Sequence, residues 1–257
     1  MSALSGFLKD GNVPVDVPAT SADHGGGGDS TRGDGRPRVD PETLLEGLNA
    51  PQRAAVTHEG SPLLIVAGAG SGKTRVLTRR IAHLLAARKV HPGSILAITF
   101  TNKAAGEMKE RVAELVGNRA KAMWVSTFHA ACVRILRSEA KRFGYTSSFS
   151  IYDQADSQRL MALVCRELEL DPRRYPPKQI SHAVSDLKND LADYETERAR
   201  AETHHQREVA GAYELYQQRL TEANAMDFDD LIMITVNLLQ AFPDVAELYR
   251  RRFRHVL

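Results

Sequence analysis

Residues 63–74 read Leu63-Leu64-Ile65-Val66-Ala67-Gly68-Ala69-Gly70-Ser71-Gly72-Lys73-Thr74. An apolar run gives way to a loop with glycine at every second position, and the loop ends on Lys-Thr. Val76, Leu77, Ile81, Leu84 and Leu85 then recur at helical spacing. The stretch predicts a buried strand over 63–67, a tight turn over 68–72 and a helix over 73–88.

The neighbouring segments repeat the alternation. "ILAITF" (95–100) is a second buried strand, 104–116 a helix carrying Met108, Val112 and Leu115, and "MWVST" (123–127) a third strand. Strand, helix, strand, helix, strand implies a parallel sheet with helices on its faces. Upstream, 44–48 and 53–57 are expected to be short helices flanking Asn49-Ala50-Pro51-Gln52. From Phe128 to Gln240 the pattern becomes helical. One stripe holds Phe128, Ala131, Cys132, Ile135, Leu136 and Phe143, and another Leu160, Leu163, Val164 and Leu168. Pro176-Pro177 marks a helix start, and a long charged helix is expected over 195–222. The final "FRHVL" has the character of another buried strand opening. The fold class is therefore α/β, a parallel-sheet domain interrupted by an all-helical insert.

A chain of 257 residues, 42% apolar and 26% charged, suits a globular protein with a sizeable core. No apolar run approaches the ~20 residues of a membrane span, and no basic-then-apolar leader opens the chain. A cytoplasmic protein without membrane partners is expected. Cys132 and Cys165 lack metal-ligand spacing and fit a reducing compartment as small buried hydrophobes. Residues 1–43, with "HGGGGDSTRGDGRPR", offer no apolar periodicity and are expected to be a disordered tail. Arg32-Gly33-Asp34 inside it is not taken as an adhesion motif, because no export signal accompanies it. This tail carries seven acids and four bases, which leaves an excess of five positive charges over 44–257. That balance permits a nucleic-acid partner without demanding one.

The loop at 67–74 has the chemistry of a phosphate cradle. Glycines let the main chain turn its N–H groups toward an anion, and the following helix adds about half a positive charge at its start. Lys73 is placed to reach β- and γ-phosphates, and the Thr74 hydroxyl to ligate a nucleotide-bound Mg²⁺. The strict pattern opens on glycine, whereas Ala67 stands here. Gln52, upstream in "LNAPQRAAV", has an amide able to pair with adenine.

Five segments in order, "LNAPQRAAV", "LLIVAGAGSGKTRVLTRRI", "ILAITFTNKAAGEMKERV", "WVSTFHAACVRIL" and "DFDDLI", resemble the UvrD/PcrA/Rep-type superfamily 1 DNA helicases, with the actinobacterial branch the nearest in appearance. The resemblance runs from about Leu44 to Leu257. It implies a RecA-like domain over 44–127, a helical insert over 128–226 and a return to the sheet domain over 227–257. It also implies ATP and Mg²⁺ as cofactors, and single-stranded or 3′-tailed duplex DNA, with repair proteins, as partners. Residue by residue, Gln52 would read adenine. Ala67, Gly68, Ala69, Gly70, Ser71, Gly72, Lys73 and Thr74 would bind the phosphates, with Lys73 and Thr74 the catalytic pair. Arg75 would pack near the base. Thr99, Phe100, Thr101, Asn102 and Lys103, then Thr127, Phe128 and His129, would face single-stranded DNA. A ring, hydroxyls, an amide and one cation suit sequence-blind binding of a single strand. The bland alternatives are a strand-to-helix turn capped by Thr101 and a surface histidine at His129. "MDFDDLI" reads as a capped helix start, with Asp227 as cap and Asp229 and Asp230 favouring the positive end.

A P-loop motor also needs an acid for Mg²⁺ and a group that readies water. The sequence holds no Asp-Glu pair, and "FRHVL" matches the opening of the strand that carries it in these helicases. Asp153 in "FSIYD" is rejected as a substitute, since Ser150 breaks the apolar run and no Glu follows. The expectation is the first part of an ATP-dependent 3′–5′ helicase motor, inactive in hydrolysis and unwinding as residues 1–257. The competing readings are a non-catalytic DNA- or partner-binding module, the motor half of a helicase–nuclease, and an unrelated P-loop kinase or transporter ATPase. The last explains the cradle but not "TFTNKAA" or "STFHA".

Overall fold

The structure is a computed structural model that describes residues 40–257. The tail reading for residues 1–39, and Arg32-Gly33-Asp34, lie outside the described residues.

Strands β1 (Ile95–Thr99), β2 (Trp124–Thr127) and β5 (His255–Val256) form a parallel sheet in the order β2-β1-β5. Leu96 sits opposite Trp124 and Thr99 opposite Thr127, while Ile95 pairs with His255. Because successive strand residues point to opposite faces, β1 feeds two cores. Ile95 and Ala97 pack with Ile81 and Leu85 of α2 (Lys73–Ala86) and with Met108 and Val112 of α3 (Asn102–Val116). Leu96 and Trp124 face the other way, toward Leu136 of α4 (Phe128–Glu139), Leu231 and Leu238 of α9 (Phe228–Ala241) and Phe253. Helices thus cover both faces, as a parallel sheet requires. Trp124 lies between two guanidiniums, with Arg134 Cζ at 3.9 Å and Arg252 Cζ at 4.7 Å from its ring centre.

The segment between β2 and β5 is mostly helical, with one correction. Strands β3 (Ser150–Tyr152) and β4 (Ala225–Asp227) pair in parallel within it, Ser150 opposite Ala225. Between them run α5 (Gln154–Glu167), α6 (Pro177–Asn189), α7 (Tyr194–Arg200) and α8 (His204–Glu222). Their apolar faces converge on Tyr213, Tyr216, Met161 and Ile180 in a separate core. The helix expected over 195–222 is in fact two. Ala201 is extended, and Thr203 opens α8 with a capping box: its side chain accepts from Gln206 N at 3.2 Å, and Gln206 Oε1 accepts from Thr203 N at 2.9 Å. Such a box satisfies two amides that a continuous helix would have bonded internally. Helix α10 (Pro243–Arg252) closes the chain before β5.

Four further expectations change at the start and end. The helix expected over 44–48 is a 3₁₀ turn at Thr43–Leu45, and the one expected over 53–57 begins earlier as α1 (Ala50–Thr57), because Asn49 caps it. The run 63–67 forms no strand and pairs with none among the described residues, and Leu64 and Val66 are 86% and 88% exposed. A strand is buried only when a neighbour takes up its backbone groups. Among the described residues the sheet presents no such neighbour to it. The strand expected from "FRHVL" does form, but Val256 is exposed rather than buried. Among the described residues no single helix is long and apolar enough to cross a membrane.

Candidate functional site: a phosphate loop and an aromatic helix-start surface

Helix α2 begins at Lys73, capped by Gly72 in the left-handed region (φ 83°), and Gly70 also has positive φ (75°). These two glycines supply a conformation that a side chain would strain. A Cβ at Gly72 would also come within 3.2 Å of Gln52 Nε2. The loop is tied by Ser71, whose hydroxyl donates to Gly68 O at 2.6 Å. Lys73 folds back over it, donating to Ala67 O at 2.8 Å and Gly68 O at 2.7 Å. The amides of Gly72, Lys73, Thr74 and Arg75 have no acceptor among the described residues. Four donors and an ammonium at one exposed turn fit a polyphosphate anion, and the adjacent Thr74 hydroxyl is exposed and of a type that ligates Mg²⁺.

Gln52 is fastened to this loop. Its Oε1 accepts from Asn49 N at 3.1 Å, the Asn49 side chain accepts from Gln52 N at 3.0 Å, and Gln52 Nε2 donates to Ser71 O at 3.1 Å. The capping box of α1 thus holds the candidate adenine reader beside the phosphate loop. Arg75 reaches Glu46 O at 3.4 Å, past Gly47, where a Cβ would lie 2.8 Å from its Nη2.

The second group of residues gathers at the C-terminal ends of β1 and β2, in register at Thr99 and Thr127. Each strand runs straight into a helix through a threonine cap. Thr101 accepts from Ala104 N at 3.1 Å and Thr127 from Ala130 N at 3.3 Å. Thr99 donates its hydroxyl to Thr101 O at 3.0 Å. The caps fix Phe100 and Phe128 at the surface, 91% and 46% exposed, with ring centres 5.8 Å apart. Asn102 and Lys103 occupy the first turn of α3 and are exposed. His129 follows Phe128 and meets the Phe228 ring edge-on, 5.4 Å between centres.

Phe228, 46% exposed, is the aromatic that sequence reasoning passed over. A signal for it existed, since Asp227-Phe228 repeats the cap-then-phenylalanine order of Thr127-Phe128. Asp227 caps α9 as expected, accepting from Asp230 N at 2.8 Å. Asp230 lies in the first turn of α9 as expected, and it is wholly buried there. Lys188 of α6, fully buried as well, donates to Asp227 Oδ2 and Asp230 Oδ1, both at 2.8 Å. Tyr216 OH adds a bond to Asp227 Oδ2 at 3.0 Å. Burial opposes the Lys188 charge, but Asp230 and Asp227 together outweigh it and hold the ammonium protonated. Burial pushes the Asp230 carboxyl up to about 6, whereas Lys188 and the surrounding donors keep Asp227 below the ordinary range despite its own burial.

Residues 48–257 match the UvrD/REP helicase N-terminal domain. The chain is 61% identical over 220 residues to the ATP-dependent DNA helicase UvrD1 of Mycobacterium tuberculosis, a match covering 84% of this chain and 28% of that protein. UvrD1 of Mycobacterium leprae is 58% identical over 229 residues, covering 87% and 29%. The ATP-dependent DNA helicase PcrA of Staphylococcus aureus is 47% identical over 213 residues, covering 83% and 29%. The chain thus spans less than a third of the length of the curated relatives it matches.

Proposed function

This chain belongs to the UvrD/REP helicase family, and on that basis we propose that it is the nucleotide- and single-strand-binding part of an ATP-dependent 3′–5′ DNA helicase motor. Residues 44–127 and 227–257 contribute the RecA-like sheet domain and 128–226 the helical insert. The observation that carries the reading is the turn at Gly72–Arg75, whose amides lack acceptors among the described residues beneath the Lys73 ammonium. The three relatives are named ATP-dependent, which supports ATP as the anion.

Lys73 and the loop amides bind the β- and γ-phosphates. Lys73 gives up its two loop carbonyls for phosphate oxygens, so the loop is already shaped when nucleotide arrives. Thr74 holds Mg²⁺, which neutralises phosphate charge when bound. Gln52, fixed by the α1 cap, orients the adenine, and Arg75 lies on the same side of the loop. Thr99, Phe100, Thr101, Asn102, Lys103, Thr127, Phe128 and His129 line the single-stranded DNA path at the ends of β1 and β2, where ligands of open parallel sheets bind.

Phe100→Ala is expected to weaken binding of an oligothymidylate by about 1–3 kcal/mol while leaving Mg·ATP affinity unchanged. Fluorescence anisotropy and calorimetry on the same preparation would separate the two. An unaltered DNA affinity would remove the stacking role.

Hydrolysis needs acids for the metal and for water, and the sequence holds no Asp-Glu pair. A polypeptide of residues 1–257 is therefore expected to bind nucleotide without turnover and to displace no strand from a 3′-tailed duplex. Measurable unwinding by that polypeptide would overturn this part of the proposal.

A further inference from the structure

We propose that Arg134 and Arg252 form a second DNA contact, which holds the phosphodiester backbone of a duplex at the sheet end opposite the Phe100–Phe128 surface. The inference does not rest on the single-strand path. Trp124 is the first residue of β2, and Phe128 follows the last. The two surfaces therefore sit at opposite ends of one strand. Helices α4 and α10 run antiparallel beside that strand: Arg142 meets Asp244, Ser138 meets Tyr249, and Arg134 and Arg252 meet over Trp124.

Charge pairing along this seam is uneven. Arg142 has Glu139 and Asp244 as partners, and Arg250 and Arg251 share Glu247. Arg134 and Arg252 are exposed, and neither has a carboxylate partner among the described residues. Sequence deepens the imbalance, since 115–138 and 248–257 contain no Asp or Glu. Lys121 lies just before Trp124 and Arg137 one turn beyond Arg134, both exposed. Two like charges on one ring repel, and an anion shared between them relieves that repulsion.

Stacking on an indole fixes each guanidinium plane and leaves its N–H fork free for phosphate oxygens. The rings themselves are withheld from bases, because Trp124 is 6% and Phe253 9% exposed. A single strand is held by base stacking as well as by charge. Cations over covered rings offer only the charge, which suits a duplex whose bases are already stacked inside it. Such a contact carries no sequence preference and weakens steeply with salt.

The test uses the 257-residue chain with a blunt fluorescein-labelled duplex and, separately, a labelled oligothymidylate, titrated by anisotropy across a salt series. Arg134→Gln/Arg252→Gln is expected to weaken duplex binding by about 10- to 100-fold. It is expected to lower the slope of log affinity against log salt by roughly 1.8, the share of two phosphate contacts. Arg134→Lys/Arg252→Lys keeps both charges and is expected to keep the slope. Oligothymidylate affinity is expected to change by no more than about twofold in either double variant. Urea midpoints check folding, and if the Gln pair unfolds, each single Gln variant is expected to lower the slope by roughly 0.9. Normal duplex affinity and slope in a folded Gln variant overturn the inference. So does loss of duplex binding in Phe100→Ala, which would place the duplex on the single-strand surface. Displacement of the duplex by polyglutamate more readily than by unlabelled duplex of equal charge would assign the site to an acidic protein and overturn it too. Unchanged oligothymidylate binding by Phe100→Ala, with the duplex still lost in the Gln variant, rejects the single-strand path and keeps this contact.

Discussion

Lys188→Ala is expected to destabilise the chain by about 3–5 kcal/mol, measured by urea or thermal unfolding. Two carboxylates face this ammonium at 2.8 Å, and both it and Asp230 are fully buried. Truncation leaves those buried carboxylates without their counter-charge. Against a typical total of about 5–15 kcal/mol, this is a large fraction of the stability of such a domain. The ammonium also joins α6 to the end of β4 and the start of α9, so its loss uncouples the helical segment from the sheet side of the protein.

The pH dependence of this variant carries the sharper test. In the unsubstituted chain the Asp230 carboxyl titrates at about 6, above its ordinary value of 3.8. Between those two pH values the folded state binds more protons than the unfolded state, so this group adds stability as pH falls from 7 toward 4. Asp227 acts the other way, because its lowered carboxyl gives stability above 3.8 that is lost as acid protonates it. With Lys188 removed, Asp230 has more to gain from protonation. The penalty of Lys188→Ala is therefore expected to be smaller at pH 5 than at pH 8. Adding Asp230→Asn to a Lys188→Met variant should recover much of the loss, since one charge is then removed along with its partner. A penalty that is equal at both pH values would show that the cluster contributes through packing and not through charge.

Lys73→Ala is expected to weaken Mg·ATP binding by about 10- to 100-fold, the size of a lost charge-assisted contact of about 1.5–3 kcal/mol. Oligothymidylate affinity in the absence of nucleotide is expected to stay within about twofold, because among the described residues the Lys73 ammonium bonds Ala67 O and Gly68 O of its own loop and not the aromatic surface. Lys73→Arg is not a conservative replacement. A planar guanidinium cannot place a single point charge over both carbonyls in so small a loop, and it is expected to bind nucleotide poorly as well. Isothermal calorimetry gives both numbers. Nucleotide affinity untouched by Lys73→Ala would remove the phosphate loop from the function of this chain.

Local signals were sufficient wherever the interaction closes over a few residues. Helix α2 and its loop follow from glycine spacing and apolar periodicity, α6 from Pro176-Pro177, and α9 from Asp227 as a cap. Strands β1 and β2 follow from apolar runs that find each other across one helix. The break at Thr203 also had a local signature, Thr203-x-x-Gln206, which the high charge of the surrounding residues obscured. The candidate site was readable to the same extent. The phosphate loop and the "TFTNK" and "TFH" segments are contiguous in the chain, whereas the link from Gln52 to Ser71 spans 19 positions and needed the fold.

Residue order was enough for the capped helices, the glycine turn and the alternation that makes the sheet parallel, because each depends on backbone groups satisfied within a few positions. Long-range pairing settled the rest. Residues 63–67 are as apolar as any strand here, yet stay unpaired, since burial of a strand depends on which edge lies beside it. Lys188 lies in α6, and 39 to 42 residues separate it from the carboxylates that bond it. Charge burial depends on a partner's position in space, and no spacing along the chain encodes that distance.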